Sequence, residues 1–142
     1  MKTILITGGN SGIGLEAGRQ LVALGHTVVL LGRDPAKGEA AAKALGANAP
    51  FHASDLSSVA GVKAAAALVE SKHPVLDGII HSAGHLTIAE KRTADGLHPL
   101  FAVNYLSRYH LTQRLLPCLR KSATAKVVLI VAQVDPKTKI DF

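Results

Sequence analysis

The sequence has little that would tie it to the cell exterior, a membrane or a nucleic acid. Its single cysteine, Cys118, excludes an internal disulfide, and a buried inert thiol is the expected role. No apolar run approaches bilayer length; the longest lies around residues 127–132. Met1 and Lys2 lead straight into a strand-like segment rather than a signal peptide, so a cytoplasmic setting without a membrane partner is expected. Acidic residues are few, ten against sixteen basic, which leaves a net charge of +6. The excess is concentrated: residues 101–142 hold seven of the basic residues and only Asp135 and Asp141 as acids. Arg108, Arg114, Arg120, Lys121 and Lys126 lack interleaved aromatics or a docking motif, so they read as a solvated helix face rather than a nucleic-acid surface.

What is present is enough for one core: 142 residues, 48% of them hydrophobic, expected to form a single domain over 1–142. The organising stretch is TILITGGNSGIG at residues 3–14. Ile4, Leu5 and Ile6 form a short buried strand that stops at Gly8. From Ile13 the apolar period Ile13, Ala17, Leu21, Leu24 predicts a helix. Between them Gly8, Gly12 and Gly14 stand at the spacing GxxxGxG. A helix start carries unpaired N–H groups and the positive end of the dipole, which suits a diphosphate, and glycines let the backbone approach it. Asn10 and Ser11 can hydrogen-bond within the loop or to a ligand. The frame GxGxxA (Gly12, Gly14, Ala17) also matches but begins four residues beyond the strand. The GxxxGxG frame, set between a strand and a helix, is therefore read as a nucleotide site.

Strands and helices then alternate. VVLLG at 28–32 reads as a second strand; Asp34 caps and Pro35 opens a helix over 36–45 that ends at Gly46. A short strand spans 51–53, Ser57 is the expected cap of a third helix with the period Val59, Val62, Ala66, Val69, and a fourth strand spans 76–82. A long helix is expected over 97–121, bent near Pro117, apolar on more than one face and well covered; residues 127–132 form a fifth strand. This order implies parallel βαβ units with right-handed crossovers, an α/β doubly wound sheet of about five strands. After the second strand Gly32 stands where a ribose-binding acid is common, and Arg33 follows, which suits a 2′-phosphate. NADP(H) is therefore favoured, with NAD(H) left open.

Taken together, these segments resemble the short-chain dehydrogenase/reductase family, and within it the retinol-dehydrogenase-like group. TGGNSGIG at 7–14 resembles the cofactor loop, LLGRD at 30–34 the NADP-preferring second strand, and Asp55-Leu56 the pair that meets the adenine. HSAG at 81–84 resembles the NNAG element, residues 91–123 the long helix with its asparagine at Asn104, and KIDF at 139–142 a segment after the fifth strand. The resemblance implies a Rossmann-type fold lacking its C-terminal strands, with Gly8, Ser11, Gly12, Ile13 and Gly14 at the diphosphate and Thr7 and Asn10 also among the cofactor-binding residues. It further implies Arg33 at the ribose phosphate, Asp55 and Leu56 at the adenine, and Ser82, Ala83 and Gly84 near the nicotinamide ribose. Asn104 takes the position that helps anchor a proton-relay water; its plain structural role would be a helix amide bonded to backbone. His81 and Ser82 stand where the group has two asparagines.

The family reduces carbonyls with a tyrosine proton donor, a lysine four residues on and a serine after the fifth strand. Tyr105 is followed four residues later by Tyr109, and Tyr109 by Gln113, so neither makes YxxxK. The serine position falls near Ala132 or Gln133. Core or dimer packing is the expected role of both tyrosines. His81 and His85 straddle a strand-to-turn junction, where four-residue spacing does not bring them together as metal ligands, and no metal is expected. Three readings stay open: the cofactor-binding part of a reductase, a non-catalytic NADP(H)-binding module, or an interaction protein docking through its fifth strand. That strand, left as an apolar edge, would pair with a second copy or a partner strand.

Overall fold

The computed structural model describes residues 1–86 and 91–132; Gln133 and the KIDF segment at 139–142 lie outside the described residues. Five strands are formed by β1 (Thr3–Thr7), β2 (Thr27–Gly32), β3 (Phe51–Ala53), β4 (Gly78–His81) and β5 (Lys126–Leu129). All pair in parallel, in the order β3-β2-β1-β4-β5. The helices are α1 (Gly12–Ala23), α2 (Pro35–Leu45), α3 (Val59–Lys72), the single turn α4 (Pro99–Phe101) and α5 (Ser107–Leu119). The expected doubly wound architecture is observed, with β1 at its centre.

The alternation of side chains along each strand divides the core in two. Ile4, Ile6, Val28 and Leu30 pack under α1 and α2 with Leu21, Ala41 and Leu45. Leu5, Val29, Leu31 and Ile79 face the other way, onto Val62, Ala66 and Val69 of α3 and Leu111 and Leu115 of α5. Each central strand is thus covered on both faces, which is why its sequence is an unbroken apolar run. The middle of the expected α1 stripe, Ala17 and Leu21, packs on the sheet, but its ends do not. Gly14 and Gly18 are the buried residues of α1, whereas Ile13 and Leu24 at the ends of the expected stripe are exposed. Of the two inner-face glycines, Gly14 is the one a Cβ would obstruct, since it would lie 2.5 Å from the Gly8 carbonyl oxygen, whereas at Gly18 it would meet only ordinary contacts at 3.5 Å or more.

Several boundaries move for local reasons. Ser58, not Ser57, caps α3, its Oγ accepting from the Gly61 N–H at 3.0 Å. Ser57 instead donates its N–H to Asp55 Oδ1 at 2.9 Å, closing the preceding turn. The fourth strand begins at Gly78 rather than residue 76, because the Leu76 N–H turns to Cys118 O (3.3 Å) on α5. The fifth ends at Leu129 rather than residue 132: after Ile130 N–H donates to His81 O (3.0 Å), β4 offers no further partner.

The long helix is not uniform. Residues Ala102–Leu106 form a π-helical segment between α4 and α5, and the run ends at Leu119, passing through Pro117. Nor is it covered on every side. Phe101, Tyr105 and Tyr109, spaced by four, are 47%, 64% and 60% exposed, with Phe101 and Tyr105 stacked at 5.4 Å between ring centres. Of the core or dimer packing expected for the tyrosines, core packing is not what the described residues show.

Candidate functional site

A cleft of about 520 Å³ opens across the C-terminal ends of the parallel strands, at the point where the order reverses on either side of β1. Its floor is the glycine loop. Gly8 adopts φ 68°, a left-handed conformation that turns the chain out of β1, and its N–H donates to Leu31 O at 2.8 Å. A Cβ on Gly14 would lie 2.5 Å from the Gly8 carbonyl oxygen, so this position fixes how closely α1 meets its own loop. At Gly12, with φ 53°, a Cβ would meet nothing within 4 Å: the backbone there faces open space.

The helix that begins at this open space has no side-chain cap. Ser11 precedes it in extended conformation with no capping bond. By contrast, α2 is capped by Asp34, which accepts from the Lys37 N–H at 3.1 Å, and α3 by Ser58. The first amides of α1 are thus left for whatever enters the cleft, together with the positive end of the helix dipole.

At the β2 and β3 end the lining includes Gly32, Arg33, Asp34, Lys37, Ser54, Asp55 and Leu56. Gly32 is small because Asn10 lies on it: a Cβ there would come within 2.9 to 3.1 Å of the Asn10 amide. Arg33, in the bend after β2, and Lys37, in the first turn of α2, bring two cations to the same wall. Lys37 was not among the residues singled out by sequence; the turn from β2 into α2 is what brings it to the wall that Arg33 lines. One oxygen of Asp55 is engaged by Ser57, and Leu56 is largely buried.

At the β4 and β5 end the lining is Ser82, Ala83, Gly84, His85, Val103 and Ile130. Thr7, expected among the cofactor-binding residues, is instead fully buried and outside the lining; its Oγ1 accepts from the Ala83 N–H at 3.2 Å and so shapes the turn after β4. Asn104 also lies behind the cleft. Its Oδ1 accepts from the His85 N–H (2.8 Å) and its Nδ2 donates to His85 O (2.9 Å), so the side chain is committed to backbone. Arg108 donates to Ile130 O (2.8 Å) and Ala83 O (2.9 Å), and His81 Nε2 meets Thr112 Oγ1 at 2.8 Å. Burial, reinforced by the nearby Arg108 charge, pushes the His81 imidazole down to about 4 from 6.5, so it is neutral at ordinary pH. Sequence reading set Arg108 on a solvated helix face and did not single out Thr112; Arg108 instead turns inward onto the ends of two strands, because Ala83 and Ile130 leave carbonyls there for its guanidinium.

The remaining sequence candidates, Gly8, Asn10, Ser11, Gly12, Ile13, Arg33, Asp55, Leu56, Ser82, Ala83 and Gly84, share this cleft. Gly14 stands just behind it, against Gly8.

Comparison with known proteins places the geometry in context. The profile of the family described as short chain dehydrogenase matches residues 2–138. Dehydrogenase/reductase SDR family member 13 of Homo sapiens is 38% identical over 146 aligned positions, covering 99% of this chain and 38% of that protein. Retinol dehydrogenase 12 of Bos taurus is 35% identical, covering 99% of this chain and 46% of its own length. The chain therefore spans less than half the length of these curated relatives. Among solved structures, the Pseudomonas aeruginosa RhlG/NADP active-site complex superposes with a TM-score of 0.78 at 29% identity, over 90% of this chain and 53% of that one. A short chain dehydrogenase from Shigella flexneri 2a complexed with NADP gives 0.77 at 30% identity, over 90% and 57%.

Proposed function

The chain belongs to the short-chain dehydrogenase family, and from that premise we propose that it binds a nicotinamide dinucleotide, NADP(H) in preference to NAD(H), as the cofactor-holding part of an oxidoreductase acting between alcohols and carbonyls. One observation carries this reading: the uncapped first turn of α1, reached through glycines, opens into a cleft at the C-terminal ends of parallel strands. The open space before Gly12 fits a group that must come within hydrogen-bond distance of backbone. NADP is also named in the two neighbouring structures, RhlG and the Shigella protein.

In this reading Ser11, Gly12, Ile13 and Gly14 hold the diphosphate, Asp55 and Leu56 border the adenine, and Ser82, Ala83 and Gly84 receive the nicotinamide ribose. Arg33, with Lys37 beside it, meets the ribose 2′-phosphate; Asp34 is engaged as a cap and does not compete for that role. When bound, the cofactor supplies the hydride. These 142 residues contain no YxxxK pair to deliver the accompanying proton, so the chain by itself holds cofactor without completing a reduction. Cytoplasmic placement remains part of the proposal and is checked by fractionation.

Titration with NADPH and NADH tests the reading. Arg33→Ala is expected to weaken NADPH by about tenfold or more, the range for losing a charged hydrogen bond, with NADH nearly unchanged. Equal effects on both would refute the ribose-phosphate role, and failure of the unaltered chain to bind either would refute the cofactor assignment.

The fifth strand supports a second reading, docking to a second copy or a partner strand. Val127, Val128 and Leu129 are 44%, 43% and 53% exposed, so neither face of β5 is covered by the described residues. Light scattering over a concentration series distinguishes the two: association supports docking, and a monodisperse monomer at high concentration counts against it.

A further inference from the structure

Asn104, Arg108 and Thr112 recur every four residues along the helical run, and all three reach the strand ends. Thr112 meets His81 inside β4, Arg108 meets Ala83 and Ile130, and Asn104 meets His85. The contacts of Arg108 differ in kind, because they join two strands. The last backbone bond described between the β4 and β5 chains runs from Ile130 N–H to His81 O. Beyond it, Arg108 donates through Nη1 to Ile130 O and through Nη2 to Ala83 O, at 2.8 and 2.9 Å. A guanidinium is suited to this because its donors sit on separate nitrogens in a rigid planar fork; an ammonium is a single point and cannot hold both carbonyls in the same geometry.

Those carbonyls belong to the cleft wall. Ala83 and Ile130 line it, and Ala83 is gripped from its other side by Thr7. The sheet order fixes which part of a dinucleotide comes here. With the ribose phosphate at Arg33 beyond β2 and the diphosphate at the start of α1 beyond β1, the nicotinamide half must extend over the ends of β4 and β5. We propose that Arg108 is a positioning residue for that half: it ties the ends of β4 and β5 together so that Ala83, Gly84 and Ile130 present a fixed wall to the nicotinamide ribose. This rests on the cofactor assignment above, and deepens it by naming a residue behind the site that sets its shape.

The test compares two ligands. NADPH spans the whole cleft, whereas 2′,5′-ADP fills only the adenosine half. For Arg108→Gln, 2′,5′-ADP affinity is expected to stay at the parent value, while NADPH weakens by about tenfold and the fluorescence change of its nicotinamide on binding is diminished. Arg108→Lys, which keeps the charge but reaches one carbonyl, is expected to fall between Gln and the parent. Proportionate loss of both ligands would show a general structural role and overturn the proposal, as would an unchanged NADPH affinity. Should Arg108→Gln fail to fold, as judged by thermal unfolding without ligand, the same comparison on Arg108→Lys decides. Binding of neither ligand by the unaltered chain would overturn the cofactor assignment first, and this inference with it.

Discussion

At the scale of single residues, His81 shows how a departure from the family pattern is accommodated. It stands where the resembling group has asparagine, at the end of β4, and its side chain meets Thr112 on α5. Burial holds the folded imidazole near 4, whereas the unfolded chain titrates near 6.5. Between these values the unfolded state binds the extra proton, so this contribution to stability is intact above about pH 6.5 and drains away as pH falls towards 4. The full shift corresponds to a loss on the order of 3 kcal/mol. His52 and His73, whose Nε2 atoms lie 3.4 Å apart, are lowered as well, mainly by burial and then by the Lys72 charge, so the parent protein carries several such terms. His81→Asn isolates one of them: urea unfolding of parent and variant at pH 7 and pH 4.5 should show a smaller acid loss in the variant. An identical pH dependence would mean that His81 takes up its proton as readily in the folded state as in the unfolded one.

At the scale of elements, each helix start has been assigned differently by its side chains. Asp34 closes α2 and Ser58 closes α3, with Asp95 adding a bond to the Val59 N–H at 2.7 Å. Only Ser11, at α1, leaves its turn without a side-chain acceptor among these three. The contrast leads to a prediction about α2. Asp34→Ala should cost about 1 kcal/mol, the usual value of a lost N-cap, seen as a lower urea midpoint, while Arg33 stays in place for the ribose phosphate. A loss of NADPH affinity much larger than the loss of stability would show that Asp34 touches the ligand. The π-helical segment Ala102–Leu106 was not legible because it holds no Gly or Pro to interrupt an ordinary helix. It coincides with the commitment of Asn104 to both backbone groups of His85, a contact between positions far apart in sequence.

At the scale of the molecule, the sheet order decides both where a dinucleotide lies and what is left uncovered. Strands β1, β2 and β4 have helices on both sides, but β5 sits at an edge with side chains of both faces exposed. An edge of this kind is a template for another strand. If it drives association, Val128→Lys, which places a charge on the exposed strand, should shift the light-scattering mass towards monomer without lowering NADPH affinity. An unchanged mass would direct attention to the exposed aromatic row Phe101, Tyr105 and Tyr109 instead.

Much of this protein was determined by local sequence. Ile4 to Ile6 and the run at 28–32 had to be buried strands because they are short, apolar and bounded by glycine or polar residues. The GxxxGxG spacing suits a turn into a helix, since glycine adopts the left-handed conformations of Gly8 and Gly12 without the steric cost a side chain brings. What tertiary structure decided were choices between equivalent neighbours and contacts across the chain. Ser57 and Ser58 are alike as caps until Asp55 takes the first amide. Thr7 and Asn104 are polar candidates for a ligand until Ala83 and His85 claim them. Lys37 and Arg108 acquire meaning only when folding sets one beside Arg33 and the other between two strand ends. Local propensity is written in adjacent residues, whereas hydrogen-bond partners are settled by whichever groups the packed core brings within reach.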